Sequence, residues 1–342
     1  MIRVNNIHLS LDYDDKSVRK AVAQQLRIEE KSIKSCKIFR RSVDARKKDN
    51  IYFLTTVDAE LNINEDKVCK KCGNAQIARK YEYNQMKFGN APSPIVVGAG
   101  PAGLFAALIL ARSGAKPILI ERGRDVDRRT ADVNRFWTSG QLDTTSNVQF
   151  GEGGAGTFSD GKLNSGTKDI RQRKVLEEFV SHGAPDEILY NAKPHIGTDM
   201  LKGTIKNIRN EIIELGGRVM FETKLVSMAF SDNKLKSITV ETENGNEIIE
   251  TDNVILAIGH SARDTFEMLY DLKLPIEAKP FSIGARIEHL REKIDKAQYG
   301  RFAGNKKLGS ANYKLSTHLD NGRGVYTFCM LSLIHISEPT RP

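Results

Sequence analysis

The hydrophobic pattern predicts two differently built regions along the chain. Near the N-terminus apolar and polar positions alternate with a period of two, which is typical of half-buried strands. The predicted elements there are a strand at 2–11, a helix at 16–27 behind the candidate caps Asp14 and Asp15, and strands at 33–43 and 51–61. This β-α-β-β order predicts a small α+β domain over residues 1–88.

A different pattern begins at residue 94, where a continuous apolar run predicts a buried parallel strand over 94–97. Three glycines follow in the spacing Gly-x-Gly-x-x-Gly. A helix from about 102 to 113 and a second strand over 117–121 are predicted after them. This order of strand, glycine turn, helix and strand predicts a Rossmann-type unit.

The residues of the turn have separate predicted roles. Gly98 allows the tight turn, Gly100 lets the backbone approach a pyrophosphate, and Gly103 lets the helix pack closely on the sheet. Ala102 stands at the helix start, where backbone N–H groups and the helix dipole favour an anion. Glu121 follows Gly98 by 23 residues and is placed to accept ribose hydroxyls. We therefore expect an ADP-containing cofactor at this turn.

A second glycine cluster occupies residues 150–162. Its glycines and alanine would let backbone amides crowd an anion or a flat ring. The alternative is a flexible linker, but linkers lack flanking residues such as Phe150 and Phe158 and embedded charges such as Asp160 and Lys162. The composition favours a ligand-facing loop.

The chain after this loop predicts a helix at 198–215 and then a β-meander. The predicted strands are 218–222, 224–230, 237–242 and 247–251, joined by Asp-Asn and Asn-Gly turns. A final apolar strand, 253–259, runs into Gly259. This arrangement is not typical of a plain NAD dehydrogenase.

Composition narrows the class of protein and its compartment. The chain is 39% hydrophobic and 28% charged, as in ordinary globular proteins. No secretory signal opens it, and the glycines and prolines of the uncharged stretch 90–111 argue against a membrane span. Four cysteines are too few and too scattered for a disulfide framework, so we expect a cytoplasmic protein. Cys69 and Cys72 form a Cys-x-x-Cys pair, but no second pair of zinc ligands lies nearby, which favours two incidental thiols and no metal site.

The positive charge is concentrated in the N-terminal domain. The net charge is +9, and residues 1–90 hold 19 Lys and Arg against 12 Asp and Glu. The basic run 40–48 has two interpretations, an anion or nucleic-acid contact or a solvated hairpin rim, and the second is commoner. No aromatic ladder accompanies the run, which further weakens the RNA interpretation.

With these motifs the chain resembles flavoproteins of the glutathione-reductase type. Longer strings, at 151–163, 193–199, 259–264 and 279–289, are similar to a narrower group, the bacterial FAD-dependent dehydrogenases of unassigned substrate. The resemblance implies an α/β fold with four parts. They are a small basic α+β N-terminal domain at 1–88, a Rossmann-type FAD-binding domain at 92–275 with an inserted β-meander at 218–251, the beginning of a substrate or flavin-covering domain at 276–330, and a non-native tail at 331–342.

The resemblance also implies roles for individual residues. The cofactor-binding set is Gly98, Gly100, Ala102, Gly103, Glu121, Arg122, Gly153, Gly154, Ala155, Leu225 and Gly259. The catalytic candidates are Arg286, which could clamp a substrate carboxylate or stabilise reduced flavin, and His289 or His195, which could move a proton. The alternative is that Arg286 and Glu288 are an exposed pair on a strand while His289 points inward to a hydrogen bond.

The implied activity is hydride or electron transfer through FAD to an unidentified small-molecule substrate. NAD(P)H is the candidate electron donor, although no second Gly-x-Gly-x-x-Gly is visible. The alternative function is a flavoprotein that docks tRNA or another nucleic acid through its basic N-terminal domain.

The C-terminal segment 331–341 resembles the conceptual translation of a sequencing-library adapter. We expect the native sequence to diverge after Met330 and the segment to pack on nothing native, so His335 is excluded as a site residue. The glycine-aspartate signature that binds the ribityl chain in such folds is absent before Met330, so we expect the fragment itself to be inactive and its retention of FAD to need testing.

Overall fold

The structure is a computed structural model that describes residues 1–79, 81–89, 92–158, 161, 163, 169–285, 287, 289–327 and 330–331. The chain divides into two compact units. One contains Met1–Tyr81, Leu189–Pro194 and the chain from Ser282 onward, and the other contains Glu82–Ile188 and His195–Phe281. The sequence pattern predicted domain boundaries near residues 90 and 276. The two units of the structure meet at 81–82 and 281–282, and the short segment 189–194 also belongs to the first unit.

The elements are named here in chain order. They are β1 (Ile2–Leu9), α1 (Asp15–Leu26), β2 (Ile33–Asp44), β3 (Tyr52–Leu61), α2 (Glu65–Lys71), β4 (Ala75–Ile77), β5 (Ile95–Val97), α3 (Pro101–Arg112), β6 (Ile118–Ile120), α4 (Val126–Ser139), α5 (Gln172–Ser181), α6 (Thr198–Glu214), β7 (Arg218–Met220), β8 (Lys224–Ser231), β9 (Lys234–Thr242), β10 (Gly245–Glu250), β11 (Val254–Leu256), α7 (Arg263–Asp271), α8 (Arg291–Tyr299), β12 (Asn312–Tyr313), β13 (Ser316–His318), β14 (Gly324–Tyr326) and β15 (Met330–Leu331).

The first unit is built on an antiparallel sheet with strand order β2-β3-β1-β4. Helix α1 begins where the Asp14 carboxylate accepts the Ser17 N–H at 2.8 Å, and it packs Val22 against the sheet. The strands and the helix agree with the sequence pattern to within about three residues. Strand β4 was not predicted, because three residues carry too little alternation to be recognised.

The second unit is a parallel sheet with strand order β11-β5-β6-β7. Because successive side chains of a strand face opposite sides, Val96 packs with helices α3, α5 and α6, whereas Ile95 and Val97 pack with the β8–β10 meander. The core is thus a three-layer sandwich of helices, sheet and meander.

One predicted strand belongs to a different sheet from the one expected. Arg218 pairs in parallel with Ile118, so β7 is the fourth strand of the parallel sheet and not the first strand of the meander. The meander has the three strands β8, β9 and β10. The earlier assignment of 218–251 to the meander was wrong, because periodicity alone does not reveal the partner of a short strand.

Of the adapter-like segment, only Leu331 is described. Its backbone pairs with that of Asn312. The expectation that the native sequence diverges after Met330 stays a prediction. Residues 332–342 lie outside the described part of the chain.

Candidate cofactor site

Two glycines of the turn are required by the protein's own backbone. Gly98 has a φ of +101°, and a Cβ added there would lie 2.5 Å from the Ala257 carbonyl oxygen. A Cβ added at Gly103 would lie 1.8 Å from the Gly98 carbonyl oxygen. Any larger residue at either position would clash with main chain, so these two glycines set the close approach of helix and strand.

Gly100 is different, because nothing in the described part of the chain requires it to lack a side chain. Its φ of −71° suits any residue, and a Cβ there would have its nearest neighbour, the Gly154 Cα, at 3.9 Å. It is the residue just before α3, whose first turn has no side-chain cap and begins with Pro101. The open space above Gly100 therefore faces the positive end of a helix dipole, where anions bind.

The second glycine cluster lies directly against this turn. Gly151, Gly153 and Gly154 all have left-handed φ values, of +117°, +85° and +68°. The Gly153 N–H donates to the Ala99 carbonyl at 2.8 Å, and a Cβ at Gly154 would lie 3.0 Å from Pro101 Cδ. The turn and the loop thus form the two sides of one glycine-lined cradle.

Glu121 connects the two sides. Its side chain is buried, and Oε2 accepts the Ala99 N–H at 2.8 Å. Oε1 accepts the N–H groups of Gly123 at 2.9 Å and of Gly151 at 3.0 Å. The carboxylate is thereby used to hold the loop on the turn, and its expected contact with a ribose stays a prediction.

Arg129 is a supporting residue that the sequence analysis missed. It is fully buried, and its guanidinium donates to the carbonyls of Asn147 at 2.8 Å, Val148 at 3.0 Å and Glu152 at 2.5 Å. Burial lowers the pKa of this guanidinium to about 10, which still leaves it charged at neutral pH. A Cβ at Gly151 would lie 2.5 Å from Arg129 Cδ, so the loop glycine makes room for the arginine.

Glu152 lies within the loop 151–154, and its side chain connects the loop to helices α4 and α6. Its Oε2 accepts the Val126 N–H at 2.7 Å and the Arg209 guanidinium at 2.9 Å, and burial raises the pKa of its carboxyl. Within the described residues, the buried side-chain oxygens without a hydrogen-bond partner are Glu152 Oε1 and Thr157 Oγ1. Both belong to this loop, and a buried polar atom without a partner is unusual away from functional sites.

Arg122 lies in a charged cluster beside Glu121. It donates to Asp264 at 2.9 Å and lies over the Phe150 ring at 4.7 Å, while Lys224 also pairs with Asp264 at 2.8 Å. Burial would raise the pKa of Asp264, but hydrogen bonds from Arg122 and Lys224 outweigh it and hold that pKa well below its usual range. The cation is therefore fixed in place next to the predicted ribose position.

The other predicted cofactor residues occupy varied positions. Ala102 is exposed on the first turn of α3, and Ala155 begins a short 3₁₀ turn in the loop. The Leu225 side chain is buried in the meander core. Gly259 has a φ of +70° beyond β11, and no atom of the residues that the structure describes lies within 4 Å of an added Cβ.

The structure describes two of the three predicted catalytic residues. Arg286 and its neighbour Glu288 lie outside the described residues. His289 is exposed, and its Nε2 is 2.6 Å from the Tyr313 hydroxyl, which differs from the inward position considered in the sequence analysis. His195 is exposed in the segment before α6.

The Cys-x-x-Cys pair and the basic run 40–48 both make contacts within the first unit. Burial raises the pKa of the Cys69 thiol, and the Cys72 Sγ lies 3.5 Å from the Gln25 carbonyl oxygen. In the basic run, Arg41 donates to the Tyr13 hydroxyl at 2.8 Å and Arg46 pairs with Asp44. No helix in the described part of the chain is long and apolar enough to cross a membrane.

This parallel sheet, with a glycine turn leading into α3 and a second glycine loop against it, defines a dinucleotide-binding α/β protein. The family model described as pyridine nucleotide-disulphide oxidoreductase matches residues 92–265. The chain belongs to that family. A model described as FAD-dependent protein, C-terminal domain-like, matches 280–332, and a domain of unknown function matches 1–60. Two of the three matched models thus describe redox or FAD-dependent proteins.

The chain also has a curated relative and similar solved structures. It is 47% identical over 335 residues to an "uncharacterized protein" of Clostridium beijerinckii, which covers 96% of this chain and 62% of the relative. A THI4 structure from Thermovibrio ammonificans has a TM-score of 0.36 at 15% identity, covering 54% of this chain and 64% of that one. The flavin-dependent monooxygenase PieE, in complex with FAD and substrate, has a TM-score of 0.34 at 16% identity, covering 56% and 34%. None of these matches supports the nucleic-acid alternative.

Proposed function

We propose that this chain binds FAD in the cradle formed by the turn 98–103 and the loop 151–154. We further propose that the protein is a dehydrogenase that passes hydride or electrons through the flavin to a small-molecule substrate. NAD(P)H is the proposed electron donor. The membership of an FAD-dependent family supports the cofactor, and the choice of dehydrogenase chemistry follows from the resemblance of its longer sequence strings.

The observation that carries the proposal is that the described surroundings of Gly100 have room for a side chain. Gly98 and Gly103 are glycine because the fold demands it, but the backbone angle and surroundings of Gly100 would both accept a side chain. Because Gly100 stands directly before α3 and faces the glycine loop, its missing side chain is explained there by a ligand whose atoms approach the backbone. A pyrophosphate next to the first turn of α3 is such a ligand.

The residues of the cradle fit this cofactor. The amides at the start of α3 would bind the pyrophosphate, and Gly154 would keep the opposite wall clear of side chains. Glu121 and Arg129 would hold that wall at its distance from the turn. FAD, when bound, would supply the hydride or electron transfer, and the chain would supply binding, orientation and nearby charge.

The proposal is tested on the purified full-length protein, by an FAD titration followed by flavin absorbance and then by anaerobic reduction with NADH and with NADPH. We expect saturable binding of one FAD per chain and faster reduction by one of the two nucleotides. A spectrum without flavin bands at saturating FAD would contradict the cofactor proposal. A loaded protein that neither nucleotide reduces would contradict only the donor.

For the chemistry we propose Arg286 as the fixed charge near the flavin, and His289 or His195 as the group that moves a proton. In the FAD-loaded protein, Arg286→Ala should retain FAD but slow flavin reduction by more than about tenfold. Arg286→Lys should recover only part of the rate, since an ammonium lacks the bidentate fork. Arg323→Ala, an exposed arginine elsewhere, is the control. Equal rates in the Arg286 and Arg323 variants would remove Arg286 from the mechanism.

A further inference from the structure

A buried histidine lies where helix α5 ends, and its side chain faces helix α6. His182 directly follows the last residue of α5 and is only 5% exposed. Histidine is the side chain whose charge ordinarily changes between about pH 5 and 8. A buried histidine whose contacts depend on its charge can therefore make the packing of two helices respond to pH.

Both ring nitrogens of His182 face an oxygen that can only accept a hydrogen bond. Nδ1 lies 2.6 Å from the backbone carbonyl oxygen of Glu178, and Nε2 lies 2.8 Å from the carboxylate Oε2 of Glu211. Hydrogen bonds from Arg112 lower the pKa of the Glu211 carboxyl, so this group is an ionised acceptor at neutral pH. A neutral imidazole has one N–H and one lone pair, whereas an imidazolium has two N–H groups. Only the protonated ring satisfies both oxygens.

The Ser181 hydroxyl does not make the neutral ring acceptable. Its Oγ lies 3.1 Å from Nδ1 of His182, but the hydroxyl donates to the Glu178 carbonyl at 2.9 Å. If the hydroxyl donated to Nδ1 instead, that nitrogen and the carbonyl oxygen would still be 2.6 Å apart, with no hydrogen between them. The short contact therefore requires a proton on Nδ1.

Charged groups on three helices surround the ring. On α5, the Glu178 carboxylate lies 3.9 Å from Nδ1 and also binds Lys174. On α3, Arg112 binds both Glu178 and the Glu211 carboxylate of α6. The two cations oppose a further proton on His182, whereas the two carboxylates and the negative end of the α5 dipole favour it. Because these charges nearly balance, the two short hydrogen bonds of the ring decide its protonation.

We propose that His182 is a pH-sensitive link between helices α5 and α6. Its protonated ring joins a carbonyl in the last turn of α5 to the Glu211 carboxylate. When the ring loses its proton, one nitrogen presents a lone pair to an oxygen, and that contact becomes repulsive. A second contact, from the Asn207 side-chain amide to the His182 carbonyl at 2.9 Å, is uncharged and stays. The link does not depend on the proposed redox chemistry, because none of these residues forms the glycine cradle.

The direction of the pH response follows from where the proton has partners. The protonated ring has both oxygens only in the folded protein, so the folded state binds this proton more tightly than the unfolded state. The link therefore adds stability that is fully present below the range in which a free histidine titrates, near pH 6.5. That stability is lost as the pH rises through the titration of the folded ring.

The protonation of the ring is tested by ¹⁵N NMR of the full chain with labelled histidine, with the His182 signals assigned by their absence from His182→Gln. At pH 7.5 His182 should show the nitrogen shifts of an imidazolium, whereas the exposed His260 and His318 show those of neutral rings. In Glu211→Gln the carboxylate is replaced by a neutral amide, so His182 should lose its proton about one pH unit lower or more. A neutral His182 in the wild type at pH 7.5 would overturn the proposal, as would an unchanged titration in Glu211→Gln.

The effect of the link on folding is tested by urea denaturation at pH 6 and pH 9. The folding equilibrium constant of the wild type should fall at least about tenfold more between these pH values than that of His182→Gln, because only the wild type loses the link. His318→Gln, which makes the same change at an exposed position, should follow the wild type. Equal pH dependence in the wild type and His182→Gln would overturn the proposal. So would a change in His318→Gln as large as that in His182→Gln, which would indicate a general effect of removing a histidine.

Discussion

The two glycine clusters of this protein form the two sides of one cradle, but different contacts determine their shapes. In the turn 98–103 the close approach is made by the backbone itself, since Gly98 and Gly103 contact main chain that is adjacent or one strand away. In the loop 151–154 the shape is imposed from a distance, by the carboxylate of Glu121 and the buried guanidinium of Arg129. The comparison shows that one side of a binding cradle can be shaped by contacts between main-chain atoms while its other side depends on two buried charged side chains.

The largest effect is expected inside the turn. Gly103→Val would place a side chain 1.8 Å from the Gly98 carbonyl oxygen, so helix α3 would have to move off the sheet. We expect a loss of about 4 kcal/mol or more in the free energy of unfolding, measured by urea denaturation. A variant with wild-type stability would show that the turn is not set by this backbone contact.

The loop should be disrupted by changing a single distant side chain. Arg129→Met keeps much of the side-chain volume but leaves the carbonyls of residues 147, 148 and 152 without their buried donor. We expect a loss of about 3 kcal/mol in stability together with weaker FAD binding. The neighbouring Arg128→Met removes only exposed ion pairs with Asp125 and Glu222, and should cost about 1 kcal/mol or less. Equal effects of the two substitutions would contradict the role given to the buried arginine.

A smaller effect is expected at the far end of α3, where Arg112 joins the helix to α5 and α6. Hydrogen bonds from Arg112 lower the pKa of Glu211, and those from Arg112 and Lys174 outweigh burial to lower the pKa of Glu178. A lowered pKa in the folded state gives stability that is present above the unfolded value of 4.5 and is lost as the pH falls through the folded value. Glu211→Gln should therefore cost about 1–2 kcal/mol at pH 7 and much less at pH 3.

That prediction is checked by urea denaturation of the wild type and of Glu211→Gln at both pH values. A stability difference that does not shrink in acid would mean that the Arg112 contacts add nothing through charge. Glu214→Gln, on the same helix and with no ion pair among the described residues, is the control.

The difference between the clusters also explains what the sequence could predict. The strands and helix around Gly98–Gly103 follow from local periodicity and glycine spacing, and the structure agrees with them to within one or two residues. Arg129 could not be found in this way, because it stands on an ordinary amphipathic helix between two other basic or polar residues. Strand β7 was assigned to the wrong sheet for the same reason, since a strand's partner is decided by tertiary packing. A signal was available in Gly151, whose missing side chain makes room for a large neighbour.

The central claim is that Gly100 is glycine for the cofactor and not for the fold. Its most direct test compares Gly100→Val with Gly73→Val, a glycine in the other unit where an added Cβ would likewise meet no clash with the described residues. Both variants should stay within about 1 kcal/mol of the wild type in the free energy of unfolding without cofactor. In a fluorescence titration with FAD, Gly73→Val should bind as the wild type does, and Gly100→Val should bind at least about a hundredfold more weakly, a loss of about 2.7 kcal/mol. Wild-type FAD affinity in a folded Gly100→Val protein would contradict the account.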